Sequence, residues 1–348
     1  MSANVRQTNG ECAGRTVESA ILTGTQESSE DSSCAHPKES KPIEIDGRQN
    51  IYSVAFLGDS KHVVSGGQEG KICRWRVEDG RKVGRPMDTR SPILCIALSR
   101  DGQWAVSGTE SGQVMVWNAK RHSKVIEWKA HNNWVRAVDV SLDGTRITTG
   151  SKDKTVCVWS LSTGERLLGP FKHVESVVVV KFSPDGRLIA TGTWNSEIRV
   201  YDNQTGGLLV SFPVQVCWTL NQSLAWGSDG KQLFALSGDA NVHCLDVSTT
   251  GTTRTLSKWA IHSIKDPRCI ALARNGTFIA VSTNSLVSFW DTTSHEQIGS
   301  LIAHPYVVWS MAISTNYHLV IGGNKTITIR GLCDILPCRY LHNVCVCV

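Results

Sequence analysis

The chain of 348 residues contains no run of about 18 apolar residues, the length a membrane-crossing helix needs. No apolar segment follows the first residues, so no secretory signal is expected. No Lys/Arg run reaches the density of a nucleic-acid patch. Basic residues number 36 and acidic ones 31; residues 1–40 hold three basic and six acidic groups, which leaves a dispersed +8 on the rest. The 12 cysteines form no Cys-x-x-Cys pair. Cys73, Cys95, Cys157, Cys244 and Cys269 each fall inside an apolar strand pattern. That distribution suits reduced, buried thiols better than a disulfide framework, and it points to the cytoplasm with access to the nucleus.

Glycine (30) and tryptophan (12) are plentiful, and the tryptophans recur. Ile72-Cys73-Arg74-Trp75, Val114-Met115-Val116-Trp117 and Val156-Cys157-Val158-Trp159 superpose at an offset of 42 residues. Ile198-Arg199-Val200-Tyr201 continues the series, and looser copies end at Leu245, Trp290 and Arg330 with spacings of 44, 45 and 40. Seven copies result. Each opens with an alternating strand such as Val135–Val140. A turn follows, such as Asp101-Gly102, Asp143-Gly144, Asp185-Gly186 or Asp229-Gly230. Asp-Gly between β-rich runs favours a hairpin because glycine accepts positive φ without steric cost. The second strand ends in Ser107-Gly108, Thr149-Gly150 or Thr191-Gly192, the third in Trp, and a fourth leads onward. Four short strands per unit of about 40–45 residues make the blade of a propeller.

These residues resemble the WD40 repeat family over about residues 43–332. The resemblance implies an all-β fold: a seven-bladed WD40 β-propeller with four antiparallel strands per blade, closed by an N-terminal strand. The third copy is the most complete. Its His131, Thr149, Asp153 and Trp159 are implied to form a buried hydrogen-bond network. His173 and Thr191 continue that set in the fourth copy, which departs from the pattern at Asn195 and Tyr201. The seventh copy lacks a fourth strand after Gly331. Pro42-Ile43-Glu44-Ile45 resembles the fourth strand of the second copy, Val125-Ile126-Glu127-Trp128, so residues 42–46 are expected to complete the last blade.

The expected organisation is a disordered Ser/Glu-rich tail (1–40), the propeller (41–332) and a short irregular C-terminal tail (333–348). Ser28-Ser29-Glu30-Asp31-Ser32-Ser33 resembles an acidic-directed phosphorylation site, although a simple solvated tail explains it as well. Cys333, Cys338, Cys345, Cys347 and His342 crowd the C-terminal segment at spacings that match no metal-ligand pattern.

No catalytic residue, metal or cofactor is expected. Gly66-Gly67-Gln68-Glu69-Gly70-Lys71 is one residue short of a phosphate loop and is followed by Ile72, where Ser or Thr would hold magnesium. Glu110 and Asp266 are the only acids at the channel mouth that an enzyme could use, and they fall in separate copies. The family resemblance implies partner contacts on the top face, at Tyr52, Gln68, Trp134, Arg136, Lys152, Trp194, Arg268 and Trp309. Trp, Tyr and Arg dominate interface hot spots, and the three tryptophans fall on slots expected to be exposed. The expected function is a non-catalytic protein-binding scaffold or adaptor, its surface centred on the third and fourth copies. Its partner would be a peptide or helical segment, acidic or phosphorylated, with no membrane and no small-molecule substrate involved. The alternative is a nucleic-acid-associated propeller subunit of an RNA or chromatin complex, which would need a contiguous basic stripe.

Overall fold

The computed structural model describes residues 41–194, 196–217, 222–248, 254–261 and 266–341. The tail 1–40, with its Ser28–Ser33 stretch, lies outside them, as do Asn195, His342, Cys345 and Cys347. The second repeat shows how a unit is built. Ile93–Leu98, Trp104–Thr109, Gln113–Asn118 and Ser123–Lys129 form one antiparallel four-stranded sheet in chain order. The third, fourth, fifth and sixth repeats do the same. The Asp-Gly turns form as the sequence predicts, with Gly102 and Gly144 at φ +65° and +68°.

The expectation of seven separate blades is corrected: the described residues form six hydrogen-bonded sheets. Five have four strands and one has six. The first and last repeats are fused into the six-stranded sheet because two long strands serve both. Ile43–Phe56 pairs through residues 43–46 with Ile329, Thr328, Ile327 and Thr326, and through residues 51–56 with His62–Gly67. His318–Gly331 pairs with Val308–Ile313 on its other side. The N-terminal strand thus closes the ring on the last repeat. The inner strands succeed one another without a gap: Ile51–Phe56 adjoins Ile93–Leu98 on one side and Val308–Ile313 on the other.

Two devices pack one repeat on the next. The first is the glycine of the Ser-Gly or Thr-Gly pair. A Cβ on Gly108 would lie 2.6 Å from Val135 Cγ1, and one on Gly150 would lie 2.6 Å from Val177 Cγ1. Glycine is needed there because the following repeat's inner strand presses on the second strand. The second device is a set of side-chain bonds across every seam. Ser310 Oγ accepts the Val54 N–H (2.9 Å), and Ser53 Oγ accepts the Ile96 N–H (2.9 Å). Cys95 donates to the Val135 carbonyl (3.4 Å), and Asp139 accepts the Phe182 N–H (2.8 Å). The Trp226 indole donates to the Lys181 carbonyl (3.2 Å). Cys217 donates to the Arg268 carbonyl (3.7 Å) and Cys269 to that of Trp309 (3.4 Å). Burial pushes the Cys95 thiol up and that of Cys269 up to about 12, so both remain protonated donors.

From Cys333 to Leu341 the chain has one short helical turn, Cys338–Tyr340, and packs against the propeller. Leu336, Tyr340 and Leu341 are buried in the sixth repeat's core. The Tyr340 hydroxyl donates to Asp291 (2.7 Å), and the Asn275 amide donates to the Tyr340 carbonyl (3.1 Å). Ile335, Leu336, Tyr340 and Leu341 follow no helical or strand period, so the sequence carries no periodic signal for this docking.

Deleting the chain through Asp46 should cost about 3 kcal/mol, because Ile45 and a ladder of strand bonds are lost. Thermal unfolding should shift down accordingly. An unchanged melting temperature would contradict the closure.

Candidate functional site

In the third repeat the hydroxyl, imidazole, carboxylate and indole form one bonded chain. An indole N–H can only donate, so Trp159 Nε1 donates to Thr149 Oγ1 (2.8 Å). The Thr149 hydroxyl then donates to His131 Nε2 (2.7 Å), and His131 Nδ1–H donates to Asp153 Oδ2 (3.0 Å). A single neutral tautomer satisfies every step. Burial raises the Asp153 carboxyl, but hydrogen bonds from His131, Thr155 and the Asn132 N–H overcome it and hold the group well below the carboxylate range. The hydroxyl–indole step recurs where the sequence reading had not placed it: Trp75 donates to Ser65 (2.8 Å) and Trp117 to Ser107 (3.1 Å). The Ser-Gly pairs were the available signal.

The fourth repeat does not form this chain. Thr191 donates to the Arg199 carbonyl (3.2 Å) and makes no bond to His173. His173 Nε2 lies 3.5 Å from the Tyr201 hydroxyl instead. A phenol ends in a group that reaches the imidazole, and its ring stacks on Phe171 at 4.7 Å, so the threonine is left out.

The top-face residues are shaped by β-bulges. The register of five inner strands slips, at Tyr52, Leu94, Arg136, Val178 and Trp309, between otherwise regular pairs; those of the fifth and sixth repeats pair without a slip. A bulge bends the strand and re-aims one side chain. In the third repeat Arg136 lies 5.6 Å and Lys152 4.5 Å from the Trp134 ring centre. Across the ring, Arg268 lies 5.3 Å from Trp309, whose other neighbour is Tyr52 at 6.0 Å, edge to face. Asn324 accepts the Trp309 indole N–H (2.8 Å), and Asn284 accepts Arg268 Nε–H (2.9 Å). Gln68 is exposed and joins neither group; its N–H donates to the Asn50 carbonyl (3.1 Å).

These positions correct two expectations. Trp134 and Trp309 are half-buried, the first packed by Arg136 and Lys152 and the second by Arg268 and Tyr52; Trp194 alone of the three is exposed, at 37%. Arg136 is 3% exposed, set inward by its bulge, and burial lowers its guanidinium pKa. The structure gathers Tyr52, Arg268 and Trp309 from the first, sixth and seventh repeats, and leaves Trp194 apart, on a cavity of about 460 Å³ beside Pro213, His243 and Lys258.

Residues 41–76, 84–118, 122–160 and 166–202 match the family described as WD domain, G-beta repeat. The chain is a WD40-repeat β-propeller. No curated protein matches it. The four matched stretches are the repeats with the strict 42-residue spacing. The later repeats are recognised by their sheets, since Leu245 and Arg330 stand where the WD40 indole would be. WD40 propellers generally bind proteins and are typically non-catalytic. Among the described residues no helix is long and apolar enough to cross a membrane.

Thr149→Val should cost about 2 kcal/mol, by leaving the buried Trp159 N–H without an acceptor and His131 Nε2 without a donor, while Thr149→Ser should be near neutral. Urea unfolding of the pair checks this; equal losses would contradict the bonded chain. Acid provides a second test. Burial, helped by Arg199, holds His173 neutral and lowers its pKa from 6.5 to about 4. The unfolded chain therefore takes up this proton first as pH falls, so stability is full above about 6.5 and declines down to about 4. The decline is about 3 kcal/mol at most. His173→Gln should make the decline shallower over this window, with His243, His304 and His318, whose pKa values burial also lowers, contributing the remainder; an unaltered slope would contradict the assignment.

Proposed function

We propose that this WD40 propeller is a non-catalytic scaffold or adaptor that recruits partner proteins through its top face, in the cytoplasm with access to the nucleus. On this reading the seven sequence repeats, 41–332, act as one binding body, and the fused sheet carries two of them. The observation that supports it most is the pair of aromatic–cationic groups on bulged strand ends: Trp134 with Arg136 and Lys152, and Trp309 with Tyr52 and Arg268. Cations held over rings are pre-organised, so less freedom is lost when a carboxylate or phosphate docks. The rings add apolar contact area beside the charge. The partner is then an acidic or phosphorylated peptide or helical segment. Trp194, exposed over its own cavity, gives an anchor point beyond the two groups.

The test is a peptide and phosphopeptide library bound to the full chain. Acidic sequences should be enriched, and Trp134→Ala or Arg268→Ala should weaken their binding at least about tenfold. Enrichment without acidic residues, or binding untouched by either substitution, would overturn the reading. Preferred binding to RNA or DNA with steep salt dependence would favour the nucleic-acid alternative.

A further inference from the structure

The inner strands place one equivalent residue each, two positions before the turn, on the wall of the central channel. Around the ring these are Ala55, Ala97, Asp139, Lys181, Ala225, Ala271 and Ala312, and all of them line one cavity of about 390 Å³. Five are the smallest residue with a Cβ. The two exceptions carry opposite charges on neighbouring strands. The cavity shares Phe56, Leu98, Asp139, Trp226, Leu272 and Ile313 with a larger chamber of about 660 Å³, formed by the Asp-Gly ends of the strands, so it opens towards that face.

From the alanine ring and its two charged exceptions we infer that the mid-channel cavity is a binding site for a small zwitterion, a free α-amino acid. Asp139 receives the α-ammonium and Lys181 the α-carboxylate. Asp139 accepts the Phe182 N–H across the seam (2.8 Å) and a bond from the Val140 N–H, and the two fix its carboxylate at the edge of the cavity. No ion pair closer than 4.0 Å joins Asp139 and Lys181. The two side chains line a common space and attract each other across it without direct contact. Burial among the inner strands raises the Asp139 carboxyl against the pull of Lys181 and the Phe182 and Val140 N–H groups. An ammonium group against Asp139 and a carboxylate against Lys181 would bring each charge into direct contact with an opposite one. A ligand with only one charge would leave the other side of the pair unmatched in a confined site. Alanine at the remaining positions keeps room for a small side chain. This inference is independent of the top-face reading.

The test is calorimetric titration and thermal unfolding of the full chain with glycine, alanine, serine and glutamine, with acetate and methylammonium as one-charge controls. At least one amino acid should bind saturably and raise the melting temperature by about 3 °C at high occupancy, and neither control should. Asp139→Asn keeps an acceptor for the Phe182 N–H, and Lys181→Met keeps the aliphatic stem. Each should fold and lose binding by about tenfold or more. Ala225→Leu fills the cavity without touching either charge and should weaken binding likewise. Absence of saturable binding for every amino acid, or wild-type affinity in the folded Asp139→Asn and Lys181→Met variants, would overturn the inference. Retained amino-acid binding in Trp134→Ala would show that this site stands or falls apart from the top face.

Discussion

The seam between consecutive repeats is the constraint on which this structure depends. A four-stranded sheet exposes two faces, and neither can be buried within its own repeat. Each face must press on a neighbour, and the glycine that follows Ser107 or Thr149 lets the backbones approach closely enough. One side-chain bond then fixes the height of each inner strand against the next. The donors and acceptors differ from seam to seam: serine, cysteine, aspartate and tryptophan all serve. At about 1 kcal/mol each they are modest singly, but a closed ring forms only if every seam is made.

Closure fixes the faces. With inner strands held in register, their bulges recur at the same height and turn Tyr52, Arg136 and Trp309 towards one end of the channel. The position two residues before each turn recurs in the same way at mid-channel. Geometry that serves packing thus presents side chains in rings. Sequence variation at those positions, a tryptophan here and an aspartate there, sets the chemistry of each ring without disturbing the fold.

Much of this was legible in the sequence. The 42-residue offset gave the blade, the Asp-Gly pairs gave the turns, and the likeness of residues 42–46 to a fourth strand gave the closure. The fusion of the first and last repeats into one six-stranded sheet was not legible, because the pattern cannot show that Ile43–Phe56 continues from one repeat into the next. The site was readable by position but not by state. Slot counting found Trp134, Arg136 and Trp309, yet not that cations of the same chain pack against the indoles. Those contacts join residues of different loops and repeats, and only the folded ring brings them together. The same holds for His173: its slot was plain, but one phenol in place of an indole redirected its bond.

The account's central claim is that the seams bind all repeats into one cooperative ring. Native-state hydrogen exchange on the full chain tests it most directly. The amides of Ile51–Phe56, Val135–Val140, Cys269–Leu272 and Val308–Ile313 should open with one common free energy, equal to that of global unfolding. A distinctly lower value confined to the fifth to seventh repeats, with the others still protected, would contradict it.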